Sequence, residues 1–181
     1  GKSGSSTASL NEIIEYESSI NKSNSYSHIK TFEEISIIAS VIKKKNKKII
    51  FTNGCFDILH VGHIKYLEKA KSFGDVLIIG LNSDESIKAL KGDSRPINSQ
   101  VDRAYILASL EAVDYLVIFD DETPYELIKL IKPDVLVKGG DYKGKKIIGE
   151  DIVKDLRLVD FIPGKSISNT IDRFRVFFRS Q

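Results

Sequence analysis

Ile49-Ile50-Phe51-Thr52-Asn53-Gly54-Cys55-Phe56-Asp57-Ile58-Leu59-His60-Val61-Gly62-His63 is the stretch whose reading decides the fold of this chain. Its first residues are a short, apolar, β-branched run, as expected of a strand buried on both faces. Two histidines then bracket a glycine where a helix is predicted to begin. The first backbone N–H groups of a helix lack intrahelical acceptors, and the helix dipole is positive there, so this is a place for a phosphate. Gly62 would let the backbone approach a polyphosphate closely. His60 and His63, three residues apart, would share a helix face and donate hydrogen bonds to it. The plainer alternative is that the two histidines only cap a helix or sit half buried. Two of them around a glycine, directly after an apolar strand, favour the phosphate site.

Outward from this segment, short apolar runs alternate with helical periodicity. Strands are predicted at Lys48 to Thr52, Asp75 to Leu81, Tyr115 to Phe119, Val135 to Val137 and Leu158 to Ile162. Ile35, Ile38 and Ile42 share one helical face, and Val101, Ala104, Tyr105 and Ala108 another. Thr123-Pro124-Tyr125-Glu126 reads as a capping box with proline at the first helical position, and its helix should stop before Pro133. This order predicts an α/β fold, a doubly wound parallel sheet in three α/β/α layers. Ligands then bind beyond the carboxyl ends of the strands, so the loops after strands are where chemistry is sought.

The 181 residues suffice for one ordinary core, and 27 Lys and Arg against 25 Asp and Glu leave a net charge of +2. That balance argues against a nucleic-acid-binding face, so an anionic ligand needs local positive groups. The lone Cys55 cannot form an intramolecular disulfide, and no apolar run approaches the roughly 20 residues that span a bilayer. With no secretory signal, a cytoplasmic protein without membrane contact is expected. Residues 1–20 open on a Gly/Ser run, residues 21–29 read as a polar linker, and residues 30–181 form the main domain.

Thr52-Asn53-Gly54-Cys55-Phe56-Asp57 followed by His60-Val61-Gly62-His63 resembles the opening of the cytidylyltransferase-like HxGH nucleotidyltransferase superfamily. Asn82-Ser83-Asp84, Lys91-Gly92-Asp93-Ser94-Arg95-Pro96, Leu136-Val137-Lys138-Gly139-Gly140-Asp141-Tyr142 and Gly164-Lys165-Ser166-Ile167-Ser168-Asn169-Thr170 narrow the likeness to the adenylyltransferase domains of bacterial ADP-heptose synthases. The likeness runs from Lys30 to Arg179. Gly1 to Thr7 with Glu12 resembles the end of the ribokinase-like kinase fused ahead of such domains, which would account for the absence of methionine. A covalently linked upstream kinase domain is therefore expected.

What the resemblance implies is a Rossmann-like nucleotidyltransferase fold and transfer of AMP from ATP to a sugar 1-phosphate, D-glycero-β-D-manno-heptose 1-phosphate, for lipopolysaccharide core synthesis. His60, His63, Lys138 and Ser166 would be catalytic. Thr52, Asn53, Gly54, Phe56, Asp57, Gly62, Gly139, Gly140, Asp141, Tyr142, Ser166 and Ser168 would hold the nucleotide together with the two histidines. Asn82, Asp84, Lys91, Arg95 and Arg103 would face the acceptor, with Lys91 and Arg95 as a mobile clamp. Arg103 could instead pair with Asp102 or Glu111. Mg²⁺ is expected with ATP, through protein ligands the sequence does not identify, and no organic cofactor is expected. Related domains form homodimers, so a homodimer is expected too. One departure is Ile167-Ser168, where the family often has two threonines, leaving a single hydroxyl at that pair. The competing readings are a cytidylyltransferase acting on glycerol 3-phosphate or a similar polyol phosphate, and a nucleotide-binding module without catalysis.

Overall fold

The computed structural model describes residues 24–160. Six parallel strands, β1 (Ile29–Lys30), β2 (Ile49–Gly54), β3 (Val76–Asn82), β4 (Tyr115–Phe119), β5 (Val135–Gly139) and β6 (Asp155–Val159), form one sheet in the order β1-β4-β3-β2-β5-β6. The helices are α1 (Phe32–Lys44), α2 (Val61–Lys71), α3 (Asp84–Lys91), α4 (Gln100–Ala108) and α5 (Tyr125–Ile131). This is the doubly wound, Rossmann-like architecture.

Alternation along the central strands explains why both faces must be covered. Ile49, Phe51, Val76 and Ile78 belong to one buried cluster with Ile35, Ile38 and Ile42 of α1 and Leu127, Ile128 and Ile131 of α5. Ile50, Leu77, Ile79 and Leu81 belong to another, with Tyr66, Leu67 and Ala70 of α2 and Ala104 and Leu107 of α4. All seven residues of β3 are buried, as a central strand between two helical layers requires. Gly80 leaves room for a neighbour there, since a Cβ would stand 2.8 Å from Cζ of Phe51.

Several boundaries differ from those predicted. β6 spans Asp155–Val159 rather than starting at Leu158, and Phe161 and Ile162 lie outside the described residues. It is an edge strand with Leu156 and Leu158 exposed, so apolar density marks it poorly. β5 runs on to Gly139, which brings Lys138 and Gly139 into the sheet. The regular structure begins before Lys30, with a 3-10 turn at Ser25–His28 and β1 paired to β4. The capping box expected at Thr123 does not form. Pro124 is itself the N-cap of α5, without a side-chain cap bond, and Lys132 ends the helix in the left-handed region at φ 48°. α3 was not among the predicted helices. No helix among the described residues is long and apolar enough to cross a membrane.

Candidate active site

β2 ends at Gly54 and α2 starts at Val61, and the intervening loop turns sharply at Phe56, whose φ is 45°. Asp57 holds this turn. Its side chain is fully buried, Oδ1 accepts from the N–H groups of Ile97 (2.7 Å) and Asn98 (3.1 Å), and Arg95 stands 2.8 Å from Oδ2. That last contact is an ion pair not aligned as a hydrogen bond. Asn98 Nδ2 donates back to the Asp57 carbonyl at 2.7 Å. The Arg95–Asn98 segment is thereby tied to the loop that carries the histidines. Arg95, read from sequence as a clamp on substrate, has its charge committed to Asp57 instead.

The helix start itself is closed by the histidines. The Gly62 N–H donates to Nδ1 of His60 at 3.1 Å, and the His60 N–H donates, at a longer 3.4 Å, to Nδ1 of His63. This is a reciprocal capping box built from imidazoles, and Gly62 lends its N–H to a ring rather than leaving it open for a phosphate. Because each Nδ1 accepts, each neutral ring carries its proton on Nε2 and donates from that side. The rings stack, with centroids 4.0 Å apart at 27°, and the Phe56 ring meets His63 edge-on at 5.5 Å. Burial, reinforced by charge on His60 and on Lys91, lowers the His63 pKa to about 4, so His63 is a neutral donor at pH 7. In both rings the cap uses Nδ1, the nitrogen on the side opposite Nε2.

Lys138, near the carboxyl end of β5, is 5% exposed. Its ammonium donates to Oδ1 of Asn53 and stands 5.3 Å from the centroid of the Tyr142 ring. Burial lowers its pKa to about 8, opposed by the Asp141 carboxylate. A triphosphate beside it would offset the desolvation that causes the shift. The 3-10 turn Gly140–Tyr142 follows, and its approach to the end of β6 requires glycine. A Cβ on Gly140 would lie 2.3 Å from Oδ1 and 3.2 Å from Cα of Asp160.

These elements enclose a cleft of about 640 Å³ at the carboxyl edge of the sheet. The β2–α2 side contributes Asn53, Gly54, Phe56, Asp57 and His63, and β5 with its turn contributes Lys138, Gly139, Asp141 and Tyr142. Asn82 and Lys91 close it from β3 and α3. Thr52 stands behind the cleft, fully buried, with its hydroxyl 2.8 Å from the Tyr66 hydroxyl. Asp84 and Arg103 do not line the cleft; they pair with each other at 2.7 Å, so neither Asp102 nor Glu111 is the partner of Arg103. Ser166 and Ser168 lie outside the described residues.

Sequence reading missed Tyr66, Leu90, Glu122, Thr123, Pro124 and Ile148, which also line the cleft. Two carried a signal: Tyr66 is three residues beyond His63 on the same helix, and Glu122 follows the carboxyl end of β4. Among the described residues no three His, Cys, Asp or Glu side chains gather as a metal-ligand set; Asp57, Glu122 and Asp141 line the cleft without forming one.

A parallel α/β sheet with a histidine-capped helix start and a buried lysine at its carboxyl edge defines a nucleoside-phosphate-handling protein. The cytidylyltransferase-like family model matches residues 51–167, and the chain belongs to that family of nucleotidyltransferases. It is similar to the bifunctional protein HldE of Aliarcobacter butzleri (69% identity) and to its namesake in Campylobacter jejuni subsp. doylei (54%), each over 97% of this chain. The chain spans only 37% and 36% of the length of those relatives. Among solved structures, the lipopolysaccharide core biosynthesis protein from Thermoplasma volcanium matches 64% of this chain and 97% of its own, at TM-score 0.51 and 24% identity. Pantoate-beta-alanine ligase from Francisella tularensis matches 77% of this chain and 68% of its own, at 0.52 and 22%. At those identities the likeness speaks for the fold.

Proposed function

We propose that this chain transfers AMP from ATP to D-glycero-β-D-manno-heptose 1-phosphate, giving ADP-heptose and pyrophosphate for lipopolysaccharide core synthesis. An oxygen of the sugar phosphate bonds to the α-phosphorus, the bond from that phosphorus to the β-phosphate bridging oxygen breaks, and pyrophosphate leaves with the electron pair. The nucleophile is already an anion, so alignment and charge stabilisation are what the protein must supply.

The observation that carries this reading is His63, stacked on His60 with its Nδ1 accepting a backbone N–H, lining the same cleft as the buried Lys138. A neutral His63 donates to a phosphate oxygen without the cost of burying a further cation in the cleft. Lys138 adds the full charge, and Ser166 and Ser168 remain proposed triphosphate contacts. Lys91 is the cation proposed for the acceptor phosphate. Mg²⁺, carried in by the triphosphate, neutralises phosphate charge when bound. A cleft whose three carboxylates, Asp57, Glu122 and Asp141, form no cage suits a cation held mainly by phosphates and water.

Glu122 and Thr123, on the β4 side, are proposed to accept from and donate to acceptor hydroxyls. A carboxylate repels a polyphosphate but takes hydrogen bonds from a polyol, so Glu122 would help exclude a misplaced nucleotide. Glu122→Ala should raise the acceptor KM on the order of 10-fold, from one or two lost hydrogen bonds to a charged group, with ATP affinity retained. Steady-state kinetics with each substrate varied checks this.

The narrow acceptor rests on the resemblance of Lys91 to Pro96 and Lys138 to Tyr142 and on the similarity to the bifunctional proteins. The same similarity supports a linked upstream domain in the complete protein; a homodimer is likewise proposed. Pyrophosphate release measured for ATP and CTP against heptose 1-phosphate and glycerol 3-phosphate tests the substrate choice. Turnover with ATP and the heptose is expected; turnover only with CTP and glycerol 3-phosphate would replace this reading with the polyol-phosphate one.

A further inference from the structure

Arg103 is fully buried, 0% exposed, and four of the five N–H donors of its guanidinium are engaged. Nε donates to the Asn98 carbonyl at 3.0 Å, one terminal nitrogen donates to the carbonyls of Cys55 (2.6 Å) and Asn82 (2.8 Å), and the other donates to Oδ1 of Asp84 at 2.7 Å. Those four acceptors lie on four segments: the β2–α2 loop, the end of β3, the start of α3 and the loop ahead of α4. Cys55 and Asn82 line the cleft on its phosphate and β3 sides respectively. Asn98 is tied a second time, because its N–H donates to Asp57.

Stability alone is a poor reason for this arrangement. Burying a charge costs free energy that its partner only partly returns, and an apolar side chain of similar volume fills the same space. What an apolar residue cannot do is hold three carbonyls from three segments in one plane. Lysine cannot either, since its donors radiate from a single nitrogen.

We propose that Arg103 is a positioning residue for nucleotidyl transfer, holding the acceptor side of the cleft in register with the histidine loop while touching neither substrate. The inference rests on the family's transfer chemistry and not on which acceptor is used, so failure of the heptose reading leaves it standing. A displacement near 1 Å between aligned reactants costs on the order of 100-fold in rate.

The test uses Arg103→Lys and Asp84→Asn in the whole chain, with whichever phosphate monoester the unsubstituted chain turns over best. Folding is checked by thermal unfolding, ATP affinity by equilibrium binding, and rates are referred to folded protein. For Arg103→Lys the expected result is a loss of about 10- to 100-fold in kcat/KM for the acceptor, with the ATP Kd within about threefold. Asp84→Asn keeps the three carbonyl bonds and should lose about three- to tenfold in the same parameter. If Arg103→Lys does not fold, Asp84→Asn decides by the same readout. Unchanged kcat/KM per folded molecule would overturn the proposal, leaving Arg103 merely structural. A fall in ATP affinity as large as the fall in kcat/KM would overturn it too, by placing the effect on nucleotide binding.

Discussion

Of the stacked pair His60 and His63, the latter can do two jobs at once because the two nitrogens of an imidazole face opposite ways. Its Nδ1 accepts from the His60 N–H at the helix start, and its Nε2 is the atom proposed to donate toward a ligand. The pair and its placement after an apolar strand were legible in the sequence. The capping role was weighed only as a rival to function, because a hydroxyl or carboxylate, not an imidazole, is the usual cap. His63→Ala should lower kcat on the order of 10²- to 10³-fold if this donor acts in the transition state. A circular dichroism melt would separate that loss from loss of the cap.

The pH dependence follows from the same burial. The folded His63 stays neutral down to about pH 4, whereas the unfolded ring takes up a proton near 6.5. Between those values the unfolded state binds more protons, so this residue contributes a fall in stability as pH drops from about 6.5 towards 4. Lys138 acts at the other end: in the ligand-free chain it loses its charge as pH rises through about 8. The kcat/KM for ATP should therefore decline above that pH, and Lys138→Met should remove that limb of the profile along with most ATP affinity. A profile measured from pH 6 to 10 on both proteins checks the assignment.

At the scale of elements, the cleft depends on loops stitched together by buried charge. Asp57 joins the histidine loop to the Arg95–Asn98 segment through two backbone N–H groups and an ion pair. Asp57→Ala should destabilise the fold by about 2–4 kcal/mol, because it strands two amides and a largely buried guanidinium. Urea unfolding measures that directly. None of these partnerships was legible. Arg103 was read as facing the acceptor or else pairing with Asp102 or Glu111, whereas its hydrogen-bond acceptors include Cys55 and Asn82, 48 and 21 positions away, and local spacing carries no information about such contacts. β6 escaped for a different reason: as an edge strand it exposes the leucines that would otherwise mark it.

At the scale of the molecule, the sheet was the most legible feature, since a strand buried on both faces writes a continuous apolar run and β2, β3, β4 and β5 all do so. The alternation that divides their side chains between two helical layers follows from the two-residue period of a strand. Gly80 tests how tightly those layers close. Gly80→Ala places a methyl against the Phe51 ring and should cost about 1–3 kcal/mol, read as a lower unfolding midpoint. Strand order was not legible, yet it does the most for function. With β2 central, β5 and its turn lie on one side of the histidine loop and β3 and β4 on the other. The cleft therefore has a Lys138 side, proposed for the nucleotide, and a Glu122 side, proposed for a hydroxylated acceptor.

The most direct test of the central claim follows the phosphorus atoms. With heptose 1-phosphate as acceptor, ATP labelled with ³²P at the α position should pass its label into a sugar nucleotide, while label at the γ position leaves in pyrophosphate. His63→Ala should slow both transfers together. Label from the α position that remains in ATP, or appears only as free AMP, would contradict transfer of the nucleotidyl group by this cleft.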